Sequence, residues 1–505
     1  MDVIEEIRKQ ALENGDRIAF VSRAGKLTYR ELWEKSGRLA GYIEQRMGDN
    51  KEPVMVYGHK HPLMLVCFLA CVRSGRAYCP VDENTPADRI TMIASQIGKP
   101  LVMNTSSYRE PDVINSDNDN DDVIVSPDEI NRETENNDVC TSDNYCKGED
   151  VFYIIFTSGS TGRPKGVQIT TNNLNAYLKW AMSLGGGIQP GAVFLNQAPY
   201  SFDLSVMDLY LSLTTGGTIV AIDHDLLQDI AAMVRFIGQH KVEYWVSTPS
   251  FVELCRGAPQ FTQTAIPTLK AFLFCGETLP NETAKYLLDA FPKAKVINTY
   301  GPTETTVCVT QVEITREMTE SATPLPVGIP GPSTKILIDS ETDEIIISGR
   351  TVSPGYYKDP EKTAKAFLQT NANGVRAYRT GDAGHWDEQG RLYCDGRLDH
   401  QIKLHGYRME LEDIEANIER LEGVIKTVVI PVYKEGTIQS LTAYIVREKM
   451  QISGDYEGRK QIREGLKELL PSYMIPRRIR FIDELPMTEN GKLDRKKLIL
   501  QEAKR

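Results

Sequence analysis

The chain has 505 residues, 41% hydrophobic and 25% charged, and its 69 Asp and Glu outnumber 58 Lys and Arg to give a net charge of −11. This length excludes a single small module and predicts roughly three or four domain-sized units. The acidic balance argues against a nucleic-acid-binding protein, because phosphate contacts need a basic face.

Neither secretion nor membrane insertion is expected. The amino terminus is acidic where a signal peptide would be basic. The densest apolar run, residues 62–72, is about half of the ~20 residues that a membrane-spanning helix needs. The nine cysteines include no C-x-x-C pair, and the seven histidines show no H-x-x-x-H spacing. The sequence therefore predicts a cytoplasmic protein without a disulfide framework or a structural zinc site.

The first hundred residues follow a pattern of alternating helices and strands. Thr28 and Glu31 form a capping-box pair, which predicts a helix that starts there and carries apolar residues at helical spacing. Residues 53–57 predict a short strand. Residues 62–72 are apolar on every side and predict a buried helix.

The composition changes abruptly between residues 104 and 150. The stretches at residues 115–122 and 134–138 are rich in Asp, Asn and Glu and have too few apolar side chains to fold on their own. A calcium-binding loop is one alternative because the carboxylates alternate, although the Gly and terminal Glu of an EF-hand loop are missing. We expect a solvated surface excursion.

A second change of pattern occurs near residue 398. Residues 408–423 place Leu411, Ile414, Ile418 and Leu421 on one helical face, with Gly423 as a stop. Strands at residues 427–432 and 440–446, a helix at residues 455–470 and a basic tail are predicted to follow. We therefore expect two units, residues 1–398 and a small α+β unit at residues 399–505.

A loop rich in small residues follows the apolar strand at residues 151–156. Residues 157–166 read Thr-Ser-Gly-Ser-Thr-Gly-Arg-Pro-Lys-Gly. Glycines let backbone N–H groups converge on an anion, hydroxyl groups add donors, and Lys165 adds positive charge. The spacing fits neither the G-x-x-x-x-G-K-[ST] loop nor the G-x-G-x-x-G loop. The pattern predicts a phosphate-binding loop, with a flexible turn as the alternative.

Five motifs in this order resemble the adenylate-forming superfamily, which includes acyl-CoA synthetases, luciferases and peptide-synthetase adenylation domains. After the loop at 157–166 they are Asn-Thr-Tyr-Gly-Pro-Thr-Glu-Thr at 298–305, Tyr-Arg-Thr-Gly-Asp-Ala-Gly at 378–384, Gly-Arg-Leu-Asp-His-Gln-Ile-Lys-Leu-His-Gly-Tyr-Arg-Met-Glu at 396–410, and Pro-Met-Thr-Glu-Asn-Gly-Lys-Leu-Asp-Arg at 486–495. The resemblance covers almost the whole chain. It implies an α/β fold, with a large amino-terminal domain of mixed sheets and helices and a small mobile carboxy-terminal α+β domain.

The resemblance implies that a carboxylate is joined to the α-phosphate of ATP and pyrophosphate is expelled. Lys492 is then the catalytic residue that stabilises charge on the α-phosphate, although by position alone it is a surface lysine of a basic tail. Glu304 is the implied Mg²⁺ ligand, Asp382 the implied ribose acceptor, and Tyr300 either an adenine-stacking ring or a core residue. The implied ATP contacts are Thr157, Ser158, Gly159, Ser160, Thr161, Gly162, Lys165, Asn298, Thr299, Tyr300, Gly301, Pro302, Thr303, Asp382, Cys394, Asp395, Gly396, Arg397 and Lys492.

Asp203 bears on which class of carboxylic acid is activated. A carboxylate among apolar residues is costly to bury unless it is paired, and in amino-acid-activating relatives an Asp at this place pairs with the substrate α-ammonium group. A helix N-cap is the alternative role. Residues 196–207, 247–251 and 272–277 resemble the branch that activates D-alanine for the D-alanylation of lipoteichoic and teichoic acids. That resemblance alone carries the preference for the D-enantiomer.

The same resemblance makes Cys275 and Val307 the walls of a pocket sized for one methyl group, with Lys492 also at the substrate. Cys275 as a nucleophile is an alternative that its apolar neighbours disfavour. Adenylation of another small amino acid, an acyl-CoA synthetase and a catalytically silent ATP-binding scaffold are alternative functions for the whole chain.

Transfer of the activated group is expected to need a rotation about Asp399. The rotation would bring residues 403–406 to the site as Lys492 moves away. The expected acceptor is the phosphopantetheine thiol of a separate D-alanyl carrier protein. The nearest match to a carrier motif, Leu-Gly-Gly-Gly-Ile at residues 184–188, has Ile188 where the modifiable Ser would stand.

Overall fold

The structure is a computed structural model that describes residues 2–98, 100–106, 124–136, 144–159, 162–321, 324–369, 375–399, 401–404, 406–434, 437–448, 455–486 and 493–503. The predictions for Ser160, Thr161 and Lys492, and for the acidic run at 115–122, lie outside these residues. Within them, no helix combines the length and apolarity that crossing a membrane requires.

Strands and helices alternate through the amino-terminal two thirds of the chain. The strands are β1 (Ile18–Ser22), β2 (Gly25–Thr28), β3 (Val54–Tyr57), β4 (Tyr78–Val81), β5 (Val102–Asn104), β6 (Ile124–Val125), β7 (Val151–Thr157), β8 (Lys165–Thr170), β9 (Val193–Asn196), β10 (Thr218–Ala221), β11 (Tyr244–Ser247), β12 (Ala271–Phe274), β13 (Lys295–Tyr300), β14 (Thr310–Glu313) and β15 (Ile329–Pro330). The helices are α1 (Val3–Glu13), α2 (Tyr29–Met47), α3 (Pro62–Arg73), α4 (Ala87–Ile97), α5 (Pro127–Asn136), α6 (Thr171–Ala181), α7 (Leu204–Thr215), α8 (His224–Gln228), α9 (Ile230–Gln239), α10 (Pro249–Arg256), α11 (Asn281–Ala290) and α12 (Arg316–Glu320).

These strands form two mostly parallel sheets. One has the order β15-β14-β13-β12-β11-β9-β10-β1-β2, and the other has the order β6-β5-β3-β4-β7-β8. The parallel core of the first sheet, β10-β9-β11-β12-β13, ends near the residues predicted to hold substrate. Ligands in open parallel sheets bind outside the carboxyl ends of the strands, so this edge is where a site is expected.

The buried helix α3 and the helix α2 confirm the predictions for this part of the chain. All twelve residues of α3 are buried, in keeping with its apolar sequence. Helix α2 begins at the predicted capping box, in which Thr28 and Glu31 satisfy each other's backbone N–H groups. The predicted solvated excursion is partly wrong, because residues 127–136 form α5, where Ile130 is buried and the Thr134 carbonyl accepts a hydrogen bond from Arg38.

The remaining strands form a small sheet and a compact carboxy-terminal unit. The small sheet contains β16 (Thr334–Ile338), β17 (Glu344–Gly349), β18 (Phe367–Gln369), β19 (Arg376–Trp386) and β20 (Leu392–Arg397), beside α13 (Pro360–Ala366). The carboxy-terminal unit contains β21 (Gln401–Leu404), β22 (Tyr407–Glu410), α14 (Leu411–Glu419), β23 (Val424–Lys434), β24 (Thr437–Arg447), α15 (Asp455–Leu469), β25 (Arg478–Phe481) and α16 (Arg495–Ala503). This architecture confirms the predicted α/β class, with a large part followed by a smaller one.

The boundary of the first carboxy-terminal helix differs from its prediction. Residues 408–410 belong to β22, which pairs with β21 in a hairpin, and α14 starts only at Leu411. The apolar face is as predicted, since Leu411, Ile414 and Ile418 are buried. The helical spacing of apolar residues at 411–421 led to a helix prediction that included residues 408–410. These three residues are extended because they pair with β21, which the helical spacing does not reveal.

We use "large region" for residues 1–398 and "small region" for residues 399–505. The two meet through ion pairs between α4 and α14. Arg420 lies 2.9 Å from Asp88, and Arg89 lies 3.5 Å from the buried Asp413. These contacts fix the small region against the helix that follows β4.

Candidate active site

Asp203 is a half-buried residue whose carboxylate has one buried, unsatisfied oxygen. It lies at the amino-terminal end of α7, but its side chain makes no capping hydrogen bond, so the helix-capping alternative is not supported. Its Oδ2 atom is shielded from solvent and has no hydrogen-bond partner among the described residues. Burial raises the pKa of Asp203 to about 6, and a hydrogen bond with Thr303 offsets part of this. A cationic group placed here would offset the free-energy cost of burying the carboxylate.

Cys275 and Val307 lie together beside this carboxylate. Cys275 directly follows β12 and donates a long hydrogen bond of 3.6 Å to the Val307 carbonyl oxygen. Both side chains are buried in the same apolar cluster. A hydrogen bond with Cys308 lowers the pKa of Cys275, against burial, while the charge of Asp203 also reaches this thiol. The structure therefore brings the two predicted pocket residues and Asp203 into one place.

The turn that presents Val307 is strained. Thr306 and Val307 have φ values of 63° and 67°, in the left-handed region that β-branched residues avoid. Residues held this way cost roughly 1–3 kcal/mol each and persist where the surroundings fix them. Here the Thr306 hydroxyl donates to the Thr351 carbonyl at 2.7 Å, which helps to hold the turn.

Asn298 offers a second unsatisfied acceptor at the end of β13. Its amide nitrogen donates to the Pro326 carbonyl at 2.8 Å, which orients the side chain. The Oδ1 atom is buried and lacks a partner among the described residues. An N–H donor, such as an amino group on a base, would satisfy it.

Tyr300, Asp382 and Arg397 form a connected polar group. The Tyr300 hydroxyl donates to Asp382 Oδ2 at 2.7 Å, and Arg397 donates to Asp382 Oδ1 at 3.0 Å. The Tyr300 ring is 5% exposed and packs among apolar residues of the small sheet, which favours the core alternative for the ring. Asp382 lies within β19 and follows Gly381, which has a φ of 70°.

Three further predicted ATP contacts, Cys394, Asp395 and Gly396, lie on β20, which pairs with β19 in the small sheet. Asp395 is exposed and lies 2.7 Å from the exposed His385 ring nitrogen. Gly396 is exposed, and Cys394 is half-buried. Arg397, at the end of the strand, also binds the carboxylate of Asp399, the predicted hinge residue, at 2.8 Å.

The loop predicted to bind phosphate joins β7 to β8 and contacts the small region. The Ser158 hydroxyl donates to the Arg408 carbonyl at 3.3 Å and accepts from the Glu410 backbone N–H at 3.2 Å. A side chain at Gly159 would come within 2.4 Å of the Arg163 carbonyl oxygen, so only glycine fits this turn. Gly162 has a φ of 75°, which also favours glycine.

Glu304 is fully buried beneath three hydrogen-bonding or charged groups. Arg408 donates to its Oε2 at 2.6 Å, the Tyr356 hydroxyl donates to its Oε1 at 2.9 Å, and the Lys165 ammonium lies 3.9 Å away. Burial raises the pKa of Glu304, but Arg408 and Lys165 outweigh burial and bring it down to about 2. The carboxylate suits a hard cation, but in this arrangement Arg408 occupies one of its oxygens.

The β21–β22 hairpin brings the small region to the substrate residues. The Gly406 backbone N–H donates to Glu277 Oε1, and a side chain at Gly406 would come within 2.5 Å of Thr248. The positive charge of Lys403 reaches both Asp203 and Cys275 and lowers the pKa of each. The segment predicted to serve the transfer step therefore lies at the site in this structure.

An aromatic contact closes the same interface. The Tyr407 ring stacks on Tyr473 with a centroid distance of 3.8 Å, and Phe202 packs edge-on against Tyr407 at 4.9 Å. Phe202 belongs to the large region and precedes Asp203. The loop that holds Asp203 is therefore in contact with the small region.

A buried polar network that the sequence did not predict lies below that loop. The Lys60 ammonium donates to Asn196 Oδ1 and to the Ala198 carbonyl, and Asn196 donates to Asp208 at 2.8 Å. Burial lowers the pKa of Lys60 to about 7 and raises that of Asp208 to about 7. No local pattern marks Lys60, but a lone Asp208 inside an apolar helix was a usable signal, because such a carboxylate needs a partner.

Two histidines and an aspartate that are distant in the sequence form a second cluster that no local pattern predicts. The ligand atoms of His59, Asp82 and His224 all lie within 4.8 Å of one another. The two imidazole rings stack almost parallel, with centroids 3.6 Å apart and 13° between planes. His59 Nδ1 lies 2.7 Å from one oxygen of Asp82, and His224 Nε2 lies 3.7 Å from the other. Lys60 adds positive charge nearby, so the arrangement is explained as two rings sharing one carboxylate.

Comparison with known proteins gives concordant results. The model of the AMP-binding enzyme family matches residues 7–357, and the model of the AMP-binding enzyme C-terminal domain matches residues 413–492. Proteins named D-alanine--D-alanyl carrier protein ligase from Bacillus cereus strain B4264 and Bacillus thuringiensis strain Al Hakam are each 44% identical over 512 residues, covering 99% of this chain and 99% of the relative.

Solved structures share the fold. Holo-PA1221, an NRPS protein containing adenylation and PCP domains bound to a vinylsulfonamide inhibitor, superposes with a TM-score of 0.82 at 25% identity, covering 99% of this chain and 84% of that one. The Vibrio cholerae adenylation domain AlmE, in complex with glycyl-adenosine-5'-phosphate, has a TM-score of 0.82 at 22% identity, covering 100% and 97%.

Proposed function

This chain belongs to the AMP-binding enzyme family, and we propose that it activates D-alanine with ATP and passes the D-alanyl group to a carrier-protein thiol. A D-alanine carboxylate oxygen attacks the α-phosphorus of ATP, and the bond to pyrophosphate breaks. The thiol sulfur then attacks the acyl carbon of D-alanyl-AMP. The carbon–oxygen bond to AMP breaks, and the thiol proton is released. The loaded carrier serves the D-alanylation of lipoteichoic and teichoic acids.

The observation that carries the proposal is the orphaned oxygen of Asp203. Its buried Oδ2 atom has no partner among the described residues, and the α-ammonium group of an amino acid supplies the missing charge and donors. A fatty acid would leave this carboxylate unpaired at a cost of several kcal/mol, roughly 3–5 for a broken buried pair. Cys275 and Val307 are proposed to form the wall that limits the substrate to a small side chain.

The nucleotide is proposed to lie between the phosphate loop and the Asp382 group. Asn298 Oδ1 would accept a hydrogen bond from the adenine amino group, and Asp382 would accept hydrogen bonds from the ribose hydroxyls. Lys165 and the loop at residues 157–166 would bind phosphate oxygens. Lys492 is proposed as the catalytic cation of adenylation. The remaining predicted ATP contacts, among them Thr299, Gly301 and Pro302 on the segment after Asn298, form part of the same proposal.

Mg²⁺ is proposed to be held by Glu304 during adenylation. Bound there, the ion would neutralise charge on the phosphates. The carboxylate can take this role only when Arg408 has withdrawn, since Arg408 donates to Glu304 at 2.6 Å in the present arrangement. Rotation about Asp399 would remove Arg408 from the site together with the rest of the small region.

The present arrangement is proposed to be the one that serves transfer. Three features support this proposal: Gly406 contacts Glu277, Lys403 acts on Asp203, and Tyr407 packs on Phe202. In this arrangement the Arg408 guanidinium takes the place at Glu304 that Mg²⁺ is proposed to occupy during adenylation. The acceptor is a separate carrier protein with a phosphopantetheine arm, and the reaction is placed in the cytoplasm.

ATP–pyrophosphate exchange tests the activation step. We expect D-alanine to support the fastest exchange among D-alanine, L-alanine, glycine, D-serine and butyrate, and radiolabelled D-alanine to be transferred to the holo-carrier. Exchange led by another acid would overturn the choice of substrate. Absence of exchange with every acid would overturn the assignment of activity.

A further inference from the structure

Charge is divided unequally between the two regions. Residues 1–398 contain 38 Lys and Arg against 51 Asp and Glu, whereas residues 399–505 contain 20 against 18. The large region therefore carries a net charge of −13 and the small region +2. An acidic molecule that approaches the large region is repelled at long range, and the small region offers the more favourable approach.

Six of the 20 Lys and Arg residues of the small region line one groove. The groove has a volume of about 630 Å³. Its cationic lining, which we call the basic groove, consists of Arg459, Arg463, Arg477, Arg478, Arg480 and Lys497. Its acidic lining is limited to Asp455 and Glu484.

Part of this charge is neutralised within the protein, and part is not. Glu502 binds Arg478 and Arg480, each at 2.9 Å, and Asp455 lies 3.2 Å from Arg459. The exposed Arg463 donates only to the Arg477 carbonyl, at 2.7 Å. Among the described residues, Arg463, Arg477 and Lys497 form no ion pair, so three positive charges face the groove uncompensated.

The groove begins close to the contact between the two regions. Tyr473, which stacks on Tyr407, lies five residues before Arg478, the first residue of β25. Arg477 therefore follows the aromatic contact by four residues, within about 14 Å for an extended chain. A macromolecule seated in the groove would lie beside the place where the β21–β22 hairpin enters the site.

We propose that the basic groove docks an acidic face of the carrier protein during transfer. The proposal rests on the proposed function, since only the transfer step needs a macromolecular partner. The uncompensated Arg463, Arg477 and Lys497 would bind carboxylates of the carrier. The phosphodiester that links the arm to the carrier adds a further negative charge. Complementary charge raises the association rate and sets orientation more than it adds affinity.

Charge reversal at the three uncompensated positions tests the proposal. In the triple variant Arg463→Glu, Arg477→Glu and Lys497→Glu, we expect kcat/KM for the holo-carrier to fall about 10- to 100-fold, in the range of electrostatic steering. Exchange with D-alanine and loading of free pantetheine should stay within about twofold of the unaltered enzyme, because neither uses the groove. The salt dependence of carrier loading should also become weaker.

Matched controls lie next to the tested positions. Lys460 is an exposed neighbour on α15 and Lys496 on α16, and neither lines the groove. The double variant Lys460→Glu and Lys496→Glu should load the carrier at the normal rate. Equal loss in both variants, or an unchanged rate in the triple variant, would overturn docking in the groove. Loss with free pantetheine as well would overturn it too, because the defect would then lie in the active site.

A vesicle assay distinguishes docking of the carrier protein from binding of the groove to an anionic membrane surface. The proposal would be overturned if the unaltered enzyme bound phosphatidylglycerol vesicles and the triple variant did not, while carrier loading was the same in both. That result would assign the groove to a membrane. Failure of the proposed function gives a different pattern, because the unaltered enzyme would then show no exchange with D-alanine at all.

Discussion

The large and small regions contribute to the site in different ways. The large region holds Asp203, Asn298 and Cys275 with contacts inside itself, for example between Asn298 and the Pro326 carbonyl. The small region contributes Gly406 and Arg408 through contacts that cross to Glu277 and Glu304. Under the proposed function, substrate recognition resides in contacts within the large region. The small region would then select the reaction step by the groups that it places against the site.

The large region should be the more sensitive to loss of a buried charge. Replacing Lys60 by Met leaves Asp208 buried without its cation, and we expect the free energy of unfolding to fall by about 3–5 kcal/mol. Urea unfolding measures the change, and the KM for D-alanine should rise because the loop before Asp203 loses its anchor.

A second substitution makes this prediction specific. In the Lys60→Met background, Asp208→Asn removes the unpaired charge while keeping the shape, so it should restore most of the lost stability. No recovery in the double variant would show that Lys60 acts by packing and not by its charge.

Asp203 should dominate recognition of the amino acid. We expect Asp203→Asn to lower kcat/KM for D-alanine in pyrophosphate exchange about 30- to 3000-fold, from about 2–5 kcal/mol for one partner of a buried charge pair. ATP binding, followed by fluorescence of a nucleotide analogue, should be unchanged. An exchange rate within threefold of the unaltered enzyme would remove Asp203 from the substrate site.

The raised pKa of Asp203 predicts a pH dependence. Burial raises this pKa to about 6 in the free enzyme, so the carboxylate is ionised above pH 6 and gains a proton as the pH falls below it. The neutral form cannot pair with an ammonium group. We expect kcat/KM for D-alanine to fall about tenfold per pH unit below the pKa. A flat profile down to pH 5, with the fold intact by circular dichroism, would contradict this assignment.

The smallest effect is expected at the pocket wall. Cys275→Ala should increase the preference for D-2-aminobutyrate relative to D-alanine about tenfold, since one methylene changes binding by about 1–3 kcal/mol. Relative kcat/KM values in the exchange assay give the ratio. Cys79→Ala, at a buried cysteine in β4, is the control and should leave the ratio unchanged.

Local patterns in the sequence predicted several elements of the fold. The capping box at Thr28, the apolar helix at residues 62–72 and the glycine-rich turn between β7 and β8 depend on neighbouring residues, so their spacing was informative. The placement of Arg408 on Glu304, of Lys60 below the Asp203 loop and of Tyr473 on Tyr407 depends on partners more than sixty residues away. A single sequence gives no register for such pairs. Arg408 has a different cause: it was expected in a helix and is found in a strand, because the pairing of β22 with the neighbouring β21 was not predicted.

The most direct test of the division between the regions is single-turnover transfer in an Arg408→Met variant. D-alanyl-AMP is first formed on the enzyme, and the holo-carrier is then added and its acylation timed. Met removes the hydrogen-bonded Arg408 guanidinium from the buried Glu304 in the transfer arrangement and leaves the Lys165 ammonium, 3.9 Å away, as the nearby cation. We therefore expect transfer to slow about 10- to 100-fold while pyrophosphate exchange stays within about threefold. Equal loss of both steps, or transfer at the normal rate, would contradict the view that the small region selects the step.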